Sequence, residues 1–151
     1  MSDQIARQAT IEDADILADF NIKMAYETEH KRLDATLIQK GVLKLFEEPD
    51  HGFYTVVDVD GEIAGALMIT TEWSDWRNGL FWWIQSVYIM PEYRRQGVFT
   101  TLYKHIRNRA SQDPAVCGLR LYVEKENSRA QQTYLNAGME ETDYRLFEEE
   151  F

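Results

Sequence analysis

Cysteine is nearly absent. Cys117 is the only one in 151 residues, so no intrachain disulfide can form and no cysteine-based zinc cage exists. His30, His51 and His105 are the only histidines, and they are scattered without metal-ligand spacing, so no metal site is expected. The three prolines each stand at the end of a segment: Pro49, Pro91 and Pro114. Long apolar runs are also missing. The longest, Leu80 to Ile84, is far short of the roughly 20 residues that span a bilayer. Met1 to Leu17 shows no basic region followed by an apolar core, so no signal peptide and a cytoplasmic location are expected. Positive charge is in deficit, with 16 Lys and Arg against 26 Asp and Glu, a formal charge of −10. That balance argues against binding along a nucleic-acid backbone and against docking on anionic lipid, both of which need clustered cations. A cationic ligand would be attracted.

Apolar residues make up 44 % of the chain and aromatic residues 13 %, enough for a packed core, and the length suits a single domain over residues 1–151. The order expected is β-α-α-β-β-β-α-β-α-β, a mixed α/β fold. Residues 4–10 read as a first strand. Thr10, with Asp13 three positions on, reads as a helix N-cap near a capping box, and a second helix over 34–48 is closed by Pro49. Asp60-Gly61 between two β-rich runs predicts a hairpin, and Gly65 suggests a bulge or a close backbone approach. The run 80–90 is apolar on both faces, as a central strand should be. Strict alternation puts Phe81, Trp83, Val87 and Ile89 on one face and Trp82, Ile84, Tyr88 and Met90 on the other. A helix follows from Gly97 to Asp113, then a strand over 118–124. A helix capped by Asn127 and ended by Gly138 comes next, and a last strand over 144–151. Cys117 reads as a small buried residue.

One stretch is basic in this acidic chain. In "PEYRRQGVFTTLYKHI", Arg94, Arg95 and Gln96 run into Gly97 and a helix begins at once. Free backbone N–H groups at a helix start beside cations make a ready anion site, although taken alone the pair is equally a solvated turn.

Two motifs in order give this turn its meaning. The first is "VYIMPEYRRQGVF", with Arg94 and Gly97 at the first two key positions of (Gln/Arg)-x-x-Gly-x-(Gly/Ala). The second is Asn127, Ala130, Tyr134, Gly138 and Met139 in the pattern Asn-x-x-Ala-x-x-x-Tyr-x-x-x-Gly-(Phe/Met). Together, with the order of elements along nearly the whole chain, they resemble the GNAT superfamily of N-acetyltransferases. Phe99 departs from that pattern, standing where a second Gly or Ala is usual, and is expected to pack away from the phosphates.

The resemblance implies acetyl-CoA as co-substrate, with its diphosphate on the N–H groups of Gln96, Gly97, Val98, Phe99 and Thr100 and near Arg94 and Arg95. It also implies that the central strand splays from its neighbour, leaving backbone groups of Val87, Tyr88 and Ile89 for the pantetheine arm. Asn127 and Ala130 would lie near the cofactor, and Tyr134 would protonate the departing thiolate. Glu72 is the first candidate to accept the amine proton, with Glu27 and Glu29 next. The acceptor site would lie among Glu27, Glu29, Trp73, Trp76, Trp83 and Gln85, where carboxylates beside aromatic rings suit a small cationic amine. Acetylation of a protein N-terminus or lysine, and a non-catalytic acyl-CoA sensor, are the alternatives. A homodimer is compatible with the aromatic loops.

Overall fold

The computed structural model describes residues 3–151 and divides into two compact units, Met1–Leu121 and Tyr122–Phe151. The first unit holds β1 (Gln4–Gln8), α1 (Ala14–Glu29), α2 (Ala35–Glu47), β2 (Gly52–Val59), β3 (Glu62–Ser74), β4 (Gly79–Ile89), α3 (Val98–Gln112) and β5 (Val116–Arg120). The second holds α4 (Ser128–Asn136).

Local chemistry sets the ends of these elements. The Asp13 carboxylate accepts the Thr10 backbone N–H at 2.8 Å, and a single 3-10 turn over Ile11–Asp13 leads into α1. Asp34 caps α2 by accepting from the amides of Thr36 and Leu37. Asp60 and Gly61 both take positive φ, 51° and 81°, as a two-residue hairpin turn that matches strand twist requires. In the second unit the Asn127 side chain accepts from Ala130 N at 3.1 Å. Gly138, at φ 103°, closes α4 with Gly138 N–H to Leu135 O and Met139 N–H to Tyr134 O, a Schellman end.

The sheet order is β1-β2-β3-β4-β5, antiparallel through β4 and parallel between β4 and β5, with α3 as the crossover. One face packs on α1 and α2 through Leu17, Phe20, Val42, Leu45, Tyr54, Val56, Ala66 and Tyr88. The other packs on α3, where Leu102 and Ile106 are fully buried and Arg109 lies over the rings of Phe53 and Trp82. Gly65 meets α3 closely: a β-carbon there would lie 2.6 Å from Ile89 Cδ1 and 3.2 Å from Val98 Cγ1. Beside it, Ala64 is an extra residue in β3 against β2, so the close approach and the bulge occur together.

Three sequence expectations need correction. The fifth strand ends at Arg120 rather than 124, because its pairing with β4 stops at Trp83–Arg120. Residues 144–151 form no strand. Only Tyr144 and Leu146 keep a period of two there, and Glu148, Glu149 and Glu150 repel one another. Cys117 is exposed, because it is the extra residue of a bulge in β5 between partners of Leu80 and Phe81.

Candidate active site

β4 departs from regular alternation at Ser86. Ala66 pairs with Tyr88 and Met68 with Gln85, so Leu67 faces two residues, Ser86 and Val87, and Ser86 takes φ 52°. The extra residue reverses the phase of everything beyond it. Tyr88 and Met90 therefore share a face with Phe81, Trp83 and Gln85, whereas Ile89 lies on the α3 face with Trp82 and Ile84, contrary to strict alternation. Past Trp83 no described strand pairs with the far edge of β4. Met90 N–H bonds Ala64 O, so the N–H and C=O of Ile89, one residue back, point toward that open edge.

The turn after β4 is a short 3-10 segment, Pro91–Tyr93, followed by left-handed residues at Arg95 (φ 64°) and Gly97 (φ 78°). The first intrahelical bond of α3 is Thr101 N–H to Gly97 O, so the amides of Val98, Phe99 and Thr100 precede it and gather at the helix start. A β-carbon on Gly97 would meet nothing within 4 Å, so the turn is open at Gly97 itself. Only a residue tolerant of positive φ suits that place. Gln4 braces the turn from β1, donating to Gln96 O at 2.6 Å and accepting from Thr101 Oγ1 at 2.6 Å. Phe99 is half-buried, with its ring centroid 6.0 Å from that of Tyr103.

Arg94 turns back from the loop. Its Nε donates to Ile89 O at 2.9 Å and its Nη2 to Glu27 Oε2 at 2.8 Å, with the guanidinium 5.5 Å from the Tyr88 ring centroid. The Tyr88 hydroxyl donates to Glu27 Oε1 at 3.1 Å. Burial, and then this bond, push the Tyr88 phenol above its ordinary value, so it remains a donor. Glu27, Tyr88, Ile89 and Arg94 thus form one cluster.

A second cluster lies further down the same face of β4. Glu72 Oε1 accepts from Arg120 Nη1 at 2.7 Å and from Trp83 Nε1 at 3.2 Å. Gln85 Nε2 donates to Thr70 Oγ1 at 2.5 Å. Other candidates stand apart. Trp73 pairs with Leu80 and falls on the opposite face from Glu72; it is 59 % exposed. Trp76, in the β3–β4 turn, is 86 % exposed. Glu29 is exposed and 3.8 Å from Lys31. In the second unit, Ala130 and Tyr134 are half-buried one helical turn apart on α4, and burial pushes the Tyr134 phenol up.

Sequence reasoning missed Gln4, Ser86, Arg77 and Arg120. A lone arginine in the otherwise apolar "GLRLYV" was the available signal for Arg120. Nothing marked Ser86, since a bulge in a strand apolar on both faces leaves no gap in the pattern.

The family model described as "Acetyltransferase (GNAT) family" matches residues 14–139. Among solved structures, one described as a possible acetyltransferase from Clostridium difficile 630 is 45 % identical, with a TM-score of 0.92 over 98 % of this chain and 97 % of that one. A predicted acetyltransferase with acetyl-CoA from Clostridium acetobutylicum is 16 % identical with a TM-score of 0.77, covering 97 % and 96 %. AAC(6')-Iy in complex with a bisubstrate analog, CoA-S-monomethyl-acetylneamine, is 14 % identical with a TM-score of 0.78, covering 99 % of each chain; these last two share the fold. No curated protein matches the sequence.

Proposed function

The chain belongs to the GNAT acetyltransferase family, and on that premise we propose that it moves an acetyl group from acetyl-CoA to the primary amine of a small molecule. The observation that carries this reading is the turn at Gly97. Three helix-start amides, those of Val98, Phe99 and Thr100, precede the first intrahelical bond and follow a glycine that is itself open, beside two arginines, in a chain otherwise short of positive charge. These amides and the exposed Arg95 would hold a diphosphate, with Arg94 adding a charge-assisted contact on leaving Glu27. The outward N–H and C=O of Ile89, and the bulged backbone at Val87, would meet the amide groups of a pantetheine arm as a strand partner does.

When bound, acetyl-CoA supplies an activated thioester, whose C–S bond breaks as the amine nitrogen forms the new C–N bond. The chain's own residues manage the two protons. An amine with a pKa near ~10 arrives as its ammonium ion and must lose a proton before it can attack. Glu72, directly or through water, takes that proton, and Glu27 is the second candidate. Tyr134 gives its phenolic proton to the thiolate sulfur, and a phenol raised by burial stays loaded for that task at neutral pH. Trp83, which donates to Glu72, offers its ring to the ammonium group.

The test is thiol release from acetyl-CoA with a panel of small amines, alongside calorimetric binding of CoA to wild type and to the double variant Arg94→Ala, Arg95→Ala. Turnover with at least one amine and weaker CoA binding in the variant are expected. CoA affinity undiminished in the variant would overturn the anion site, and no turnover with any amine would overturn the activity.

A further inference from the structure

The carboxylates nominated to attract a cationic amine are already answered by arginines. Glu27 is bound to Arg94 and Glu72 to Arg120. The acceptor face is therefore not simply anionic, and the Glu72–Arg120 pair is built in a particular way. Phe81 pairs with Gly118 across β4 and β5, and a β-carbon at Gly118 would lie 2.8 Å from Phe81 Cε1. The missing side chain lets the ring lie over β5. Arg120, two residues on, stacks its guanidinium 3.6 Å from the centroid of that ring, and Arg77 brings a second guanidinium within 5.0 Å of the same centroid. Stacking fixes the plane of Arg120 while leaving its N–H edges directed outward. Of five donors on that group, Glu72 takes one, on Nη1. Both bonds to Glu72 fall on Oε1. Oε2 is left to a further donor.

Resting on the acetyl-transfer reading above, we infer that the acceptor is an amine carrying a carboxylate a few bonds away, as an α-amino acid does, with Arg120 anchoring the carboxylate and Glu72 Oε2 receiving the ammonium group. Two guanidiniums share the Phe81 ring and, among the described residues, only one carboxylate, Glu72, bonds to either, so a net positive charge remains there for a ligand carboxylate to answer. A planar guanidinium held by stacking is matched to a carboxylate's two oxygens. The neighbouring Glu72 supplies the opposite charge for the same ligand's amine and is also placed to remove its proton. A bare diamine or polyamine would satisfy Glu72 but meet Arg120 and Arg77 as like charges.

The experiment compares leucine, phenylalanine and lysine with their carboxamides, which keep the shape and the amine but lose the anion. Two readouts are taken: calorimetric binding to the protein without an acetyl donor, and kcat/KM by thiol release with acetyl-CoA. At least one acid is expected to bind about tenfold tighter than its amide and to show a matching advantage in kcat/KM through KM. In Arg120→Gln, the acid is expected to lose at least fivefold more than the amide, with partial recovery in Arg120→Lys. Equal or tighter binding of every amide in wild type, or equal losses for acid and amide in Arg120→Gln, would overturn the inference. If amides alone are acetylated, the inference fails and the acetyl-transfer reading stands; transfer to neither series nor to any other amine overturns that reading and this inference with it. The wild-type ratios decide the matter even where a variant does not fold.

Discussion

Arg94 Nη2 donates to Glu27 Oε2 at 2.8 Å, so the cation nominated for a diphosphate and a carboxylate nominated for an ammonium ion neutralise each other. The same guanidinium holds the Ile89 carbonyl at the open edge of β4. On the proposed function, cofactor and acceptor would compete for one side chain, and a diphosphate that drew Arg94 away would free both Glu27 and the Ile89 carbonyl.

That competition has a measurable sign. Glu27→Gln removes the rival anion and is expected to tighten CoA binding about threefold, whereas Arg94→Ala weakens it about tenfold, the ~1.4 kcal/mol typical of one charge-assisted contact. Calorimetry with CoA reads both. Weaker binding in Glu27→Gln would show that Glu27 positions Arg94 for the phosphates rather than withholding it.

Tyr134→Phe is expected to lower kcat about a hundredfold, the low end for a positioned acid, and to leave CoA affinity unchanged. Burial raises the Tyr134 phenol, so the protonated donor persists beyond its ordinary value of about 10. Activity that depends on this proton should therefore fall only above pH ~10. An alkaline limb centred below that, present in wild type and missing in Tyr134→Phe, would show a phenol lowered rather than raised, and kcat unchanged in Tyr134→Phe would remove the acid role.

The parts legible in the sequence are those governed by neighbours along the chain. Asp60-Gly61 forms its hairpin turn, Asn127 and Gly138 bound α4, and Gly97 starts α3 in the left-handed region, each because a few adjacent residues decide the matter. What could not be read depends on partners far apart. Ser86 gives no sign of its bulge, yet that one residue moves Tyr88 onto the face of Trp83 and Gln85 and sends Ile89 to the other. Glu72 was legible as an exposed carboxylate but not as the partner of Arg120, 48 positions away. Arg94 was legible as a cation beside a glycine, and its return to Glu27 across 67 positions was not.

Arg7 joins β1 to the turn before α1 and to β2, reaching Asp13 at 2.8 Å and Asp58 at 2.6 Å. Arg7→Met leaves the buried Asp13 carboxylate without its cation and is expected to cost about 2 kcal/mol at pH 7, within the range for hydrogen bonds to charged groups. The Arg7 guanidinium holds the Asp13 carboxyl below the usual carboxylate range. A depressed folded value adds stability above the unfolded value of about 3.9, and that stability is lost as pH falls through the folded one. The gap between wild type and variant in urea unfolding should hold near pH 7 and narrow only below pH ~4. A gap that closes between pH 7 and 5 would assign the effect to some other group.

Phe99 provides the last test, because it separates side chain from backbone at the anion turn. It occupies a position where a small residue is usual in the family, and its ring lies 6.0 Å from that of Tyr103 along α3. Phe99→Ala removes that half-buried packing and should cost about 1–2 kcal/mol, less than the ~3–5 of a fully buried phenylalanine. A cradle made of amide N–H groups keeps its donors through the change, so CoA affinity should stay within about twofold of wild type. Thermal unfolding and CoA calorimetry on the same variant read the two effects separately. Lost stability with unchanged affinity is the expected result. A tenfold loss of affinity in a variant that keeps its helicity would mean that the ring itself shapes the site, and that the backbone alone does not hold the diphosphate.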